Sequence, residues 1–224
     1  MKQKKQNRKS RAKGIAETYI HINIQSKNLE VNNILTKEKA TIYLEQHAIA
    51  WAEKFYGKKI NVQIKVEEGS IKAYVLVAGL SIFEFVSNYG SFRSGIDQIV
   101  DDSKSFSEYV INNFMEDENI SDDMIIRNER RLGIPGKIQR FLKQAEKLDT
   151  ELPVQKRNDL IESLSEELLE ILLMIDNHND REIFKKNSPE LIVNTLPLPL
   201  PEPLPSEHYE KYTLLNNREL NEEY

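Results

Sequence analysis

The stretch "NYGSFRSGIDQIVDD", residues 88–102, sets Ser91, Arg93 and Ser94 between two glycines, just ahead of an apolar-periodic segment. Hydroxyls, a guanidinium and the free N–H groups of a helix start are what a phosphate-holding loop needs. The spacing argues against a nucleotide loop, because "GSFRSG" carries Arg in place of Lys and in the wrong position. The simpler expectation is a joint. Gly90 ends one helix, Ser94 caps the next, and Asp97 three residues on suits its dipole. Ser91, Arg93 and Ser94 then remain a weak anion site, and Arg93 with Asp97 is the least poor enzymatic pair in the chain.

Two basic segments offer phosphate chemistry of another kind. Residues 1–13, "MKQKKQNRKSRAK", carry seven cations (Lys2, Lys4, Lys5, Arg8, Lys9, Arg11 and Lys13) and no acid, within a chain of net charge −5. Such an arm suits nucleic acid or an anionic membrane surface. Between Arg127 and Lys147 there are seven basic residues and two acids. "RRLGIPGKIQRFLK" imitates a helix-turn-helix, with Arg140 and Lys143 on the would-be recognition helix. Glu129 is bulky and charged where that motif needs a small residue, and Ile138 falls one position early. The alternative is intramolecular: basic helices over 127–147 docking on the acidic face of Asp97, Asp101 and Glu108.

Other chemistries find less support. Cysteine is absent, so thiolate catalysis, disulfides and zinc–thiolate sites are excluded. His21, His47, His178 and His208 are far apart, and no metal or other cofactor is expected. "VQIK" resembles one element of a restriction-type nuclease core, but no Asp precedes Asp97 to complete it. No serine nucleophile elbow occurs, and no small-molecule substrate is evident.

The elements that must position these residues follow from periodicity. "TYIHINIQ" alternates, with Ile20, Ile22 and Ile24 on one side and Tyr19, His21 and Asn23 on the other, as in a half-buried strand. "TKEKATIYLEQHAIAWAEKFYG" reads as a helix capped by Thr36 and ended by Gly57, with Ala40, Tyr43, Leu44, His47, Trp51 and Phe55 on one face. "KINVQIKVEEGSIKAYVLVAG" alternates twice around "EEGS", which predicts a hairpin, and Leu76 beside Val75 and Val77 makes the second strand central. Helical spacing resumes at Ser94. After Pro153, a seam of Ile161, Leu164, Leu168, Ile171 and Ile175 suits helix-hairpin packing.

Lys72 and Glu84 bracket only eleven uncharged residues in the most apolar region, too few for a span of roughly 20. Residues 73–89 are therefore expected to be core. No secretory signal is expected, since no apolar run follows the basic arm.

The expectation is an α+β protein: a small β-α-β-β layer followed by an all-helical C-terminal half. The divisions expected are a disordered basic arm (1–14), an α+β domain (15–93), a helical region (94–188) and a disordered Pro-rich acidic tail (189–224), where "TLPLPLPEPLP" reads as polyproline II. The Lys-, Asn- and Ile-rich composition fits an AT-rich bacterial or phage-related genome. Function is expected to be non-enzymatic: a cytoplasmic interaction or adaptor protein, with a protein partner or self-association through the helical half. The alternative is a nucleic-acid or peripheral anionic-membrane binder using residues 2–13 with Arg127, Arg130, Arg131, Lys137, Arg140 and Lys143.

Overall fold

The computed structural model describes residues 14–23, 35–57, 60–67, 70–79, 81, 83, 86, 90–203 and 213–215. The expected alternation becomes strand β1, Ala16–Ile22. Helix α1, Lys37–Tyr56, starts where predicted: the Thr36 side chain accepts the Lys39 N–H, and Gly57, at φ 73°, returns its N–H to the Glu53 carbonyl. Strands β2, Ile60–Glu67, and β3, Ile71–Gly79, form the hairpin.

Helix α2 runs Phe92–Asp117. A 3-10 turn at Asp122–Met124 then leads into strand β4, Ile125–Arg131, and helix α3, Gly133–Ala145. A second 3-10 turn, Glu146–Asp149, precedes α4, Val154–Met174, α5, His178–Lys186, and α6, Glu190–Val193. Strand β5, Thr213–Leu215, comes last.

The sheet is antiparallel throughout, in the order β4-β1-β3-β2-β5, so β3 is central as Leu76 indicated. One face of it is apolar: Ile20 and Ile22 of β1, Ile60, Val62 and Ile64 of β2, and Ile71, Ala73, Val75 and Val77 of β3 are buried. Helices α1 and α2 cover this face. The Thr18 hydroxyl donates to Ser107 of α2 at 3.0 Å, which fixes the helix against β1. Helix α3 packs on α2, α4 on α3 and α6 on α4, extending one apolar core from Ile15 to Ile192. Leu164, Leu168, Ile171 and Ile175 of the predicted seam are buried in it.

The α+β class holds, and two expectations are corrected. Residues 127–131, read as part of basic helices over 127–147, belong to β4 and lie beside β1 in the sheet. The C-terminal half is therefore helical except for this strand and β5. The Pro-rich segment also departs from a free tail. Leu196 and Leu200 pack on the core, and the buried Arg181 guanidinium donates to the Pro201 carbonyl at 2.7 Å.

Gly133 makes the turn from β4 to α3. Its φ is +54°, and a Cβ there would stand 2.0 Å from the Gly14 carbonyl oxygen. Only glycine meets both conditions without displacing β1's entry. Val75, Leu76, Val77, Phe83 and Val86 are buried in the core. No helix among the described residues is long and apolar enough to cross a membrane.

Candidate functional site

At residues 90–97 the structure shows a helix cap and a set of ion pairs. Gly90, at φ 87°, turns the chain, and the cap is Ser91 rather than Ser94: the Ser91 hydroxyl accepts the Ser94 N–H at 3.2 Å. The two hydroxyls also lie 2.9 Å apart. Arg93 is occupied by carboxylates, with Nε 3.3 Å from Asp97 and Nη1 3.0 Å from Glu146. Asp97 in turn accepts from Gln139 at 2.6 Å. A shallow groove of about 550 Å³ opens here, lined by Ser91 and Arg93 together with Glu146, Asp149 and Lys186. Its two acids oppose an anion, and the guanidinium that would receive one is already neutralised. The predicted trio is brought together, but as a helix cap and an ion-pair bridge from α2 to the end of α3.

The basic segment divides into two parts. Arg130 reaches Glu108 of α2 at 2.7 Å, but from strand β4 and not from the basic helix expected to dock there. Lys137 finds Glu170 of α4 instead, at 3.1 Å. Asp101 is held by its own neighbour Lys104. Arg127 and Arg131 both meet Glu129, and Arg131 also pairs at 2.8 Å with Glu17, which is 1% exposed. Arg140 and Lys143, exposed on α3, pair with no carboxylate among the described residues. The strand that precedes α3 removes the first helix of the helix-turn-helix reading. Lys2, Lys4, Lys5, Arg8, Lys9, Arg11 and Lys13 lie outside the described residues. Among the described residues, no cluster of three or more metal-capable side chains occurs.

What periodicity left unassigned is the second face of the sheet. The residues in opposite phase to the apolar set converge there: Glu17, Tyr19 and His21 of β1, Lys72 and Tyr74 of β3, Lys65 and Glu67 of β2, and Arg127, Glu129 and Arg131 of β4. The rings of Tyr19 and Tyr74 are 4.8 Å apart, and the Arg131 guanidinium lies over both, at 5.2 and 6.0 Å from their centroids. Lys65 covers Tyr74 from the other side, and the His21 ring meets the Ser70 hydroxyl at 2.6 Å.

The environment shifts these groups in directions that follow from burial. Burial, then the nearby Glu67, pushes the Tyr74 phenol up to about 12. Burial and Glu129 raise that of Tyr19. His21 is held below the usual histidine range by burial first, then by Lys72 and Arg127. Both tyrosines are thus neutral hydrogen-bonding groups at ordinary pH, and His21 is an uncharged one. The sequence signal for this face was the polar phase of each alternating strand, but β4's contribution was hidden by its lack of an apolar phase.

The outer strands of the sheet are β5 and β4. Strand β5 pairs along β2, from Val62 to Ile64. At the other edge β4 is exposed on both faces: Ile126 is 56% exposed, the Arg127 side chain 65%, and Asn128 and Arg130 are also open. A register shift between His21 and Ile22 leaves Ile126 as the extra residue of a bulge. The chain matches no family model, no curated protein and no solved structure.

Proposed function

We propose that this chain is a non-enzymatic interaction protein, an adaptor, that engages a protein partner through the open edge of β4. The observation carrying this reading is that β4, an outer strand of the sheet, pairs with no strand but β1 among the described residues and exposes Ile126, Arg127, Asn128 and Arg130. An edge strand presents a row of backbone donors and acceptors to any extended chain of matching register, and the flanking side chains select among partners. The charges and the bulge discourage indiscriminate pairing while leaving room for a partner of opposite pattern. Paired Arg93 and the closed-in tyrosines favour binding over turnover.

A photo-cross-linking residue at position 126 tests the reading, with Val154, 77% exposed on α4, as the control position. The expected result is a discrete protein adduct in cells from position 126 and none from 154. Absence of an adduct refutes it. The exposed Arg140 and Lys143 favour a second reading, nucleic-acid or anionic-membrane binding. A salt-sensitive complex with DNA, RNA or anionic vesicles, lost on Arg140→Glu, would establish that reading instead.

A further inference from the structure

We infer that the partner at the β4 edge is a second copy of this chain, paired antiparallel about a two-fold axis at Asn128; this rests on the edge-binding reading above. The pairing of β4 with β1 fixes which of its backbone groups face outward. The Asn23 N–H donates to the Met124 carbonyl, so the odd-numbered residues of β1 turn their backbone groups toward β4. Their partners, Arg127 opposite His21 and Glu129 opposite Tyr19, face inward. Alternation then turns the N–H and C=O of Asn128 and Arg130 outward.

An antiparallel copy must set outward groups against outward groups, which leaves a choice of three registers. With Asn128 opposite Arg130, Glu129 meets Glu129 and Arg127 meets Arg131. With Arg130 at the axis, Glu129 of each copy lies opposite Arg131 of the other, but two guanidiniums meet at the axis and Asn128 falls opposite Leu132, beyond the end of β4. With Asn128 at the axis, Arg127 of each copy lies opposite Glu129 of the other, so two opposite-charge pairs form on the polar sheet face. On the helix-covered face, Ile126 then lies opposite the alkyl stem of Arg130. The charge order Arg-Asn-Glu over residues 127–129 is thus self-complementary in the Asn128 register, the one of the three without a like-charge contact. A two-fold interface requires such self-complementarity. The shared strand is short, so the association is weak, in the micromolar range.

Sedimentation velocity of the full chain over a concentration series tests the inference, with Arg127→Glu, Glu129→Arg and the double variant alongside. The expected result is a reversible dimer, weakened at least tenfold by either single change, which is about 1.4 kcal/mol. The double variant restores it, because the swapped order is again self-complementary. Mixing the two single variants, each with like charges at both positions, yields a heterodimer that neither forms alone. Circular dichroism melting of each variant separates loss of pairing from loss of fold. A wild-type chain that stays monomeric, or a dimer indifferent to both charges, overturns the inference. A position-126 adduct to a different protein, with the chain monomeric, overturns it while leaving the adaptor reading intact. No adduct at all sinks both.

Discussion

Arg181 offers the sharpest energetic test of how the C-terminal segment is held. The side chain is 7% exposed, with Nε 3.1 Å from the Leu172 carbonyl at the end of α4 and Nη2 2.7 Å from that of Pro201. Hydrogen bonds to a charged group contribute roughly 1.5–3 kcal/mol each. Removing the guanidinium recovers part of its desolvation cost, so Arg181→Ala is expected to destabilise the fold by about 2–4 kcal/mol. Deleting residues 195–224 removes the partly buried Leu196, Leu200 and Leu215, at about 1 kcal/mol each, together with the pairing of β5 on β2 and the Pro201 acceptor. The Pro201 bond is lost in both variants. The combined variant should therefore fall short of the summed losses by about 1.5–3 kcal/mol in urea denaturation followed by circular dichroism. Additivity within about 0.5 kcal/mol would mean that Arg181 and the Pro-rich segment do not act on each other, and the clamp would be refuted.

Three further outcomes follow from the geometry. Ser91→Ala should cost about 1 kcal/mol in chemical denaturation and Ser94→Ala much less, since only Ser91 accepts a backbone N–H at the start of α2; the reverse order would restore Ser94 as the cap. Arg130→Glu should cost no more than about 1 kcal/mol, the worth of an exposed pair, and Glu108→Arg should rescue it while Asp101→Arg does not. Folding stability should fall as pH rises from about 10 to about 12. The folded chain holds the Tyr74 proton there after the unfolded chain has released it, as it does those of Tyr19 and Tyr43, so Tyr74→Phe should lessen that slope in urea melts at pH 9 and 11.

How far the chain could be read without its structure depended on whether an element buries one face. Strands β1 to β3 and helices α1, α2 and α4 carry apolar residues at period two or at spacings of three and four, because each lays one side on the core. Their existence, the capping by Thr36 and Gly57, and the central position of β3 were therefore legible. Strand β4 was not. "IIRNERR" lies at the edge of the sheet with both faces open, so burial imposes no alternation, and its charges suggest a helix surface equally well. Likewise Arg181 reads as one more cation of a polar helix, and its burial depends on a segment that returns to cover it.

The amino-acid sequence alone determined the elements with one buried face, because burial writes a local period into the chain, and the absence of cysteine ruled out thiol chemistry. Only the tertiary structure decided what lies opposite what. Glu17 and Arg131 are 114 residues apart, yet adjacent strands bring them to 2.8 Å. Pairing between distant strands depends on register and core packing summed over the whole molecule, and no local spacing records it.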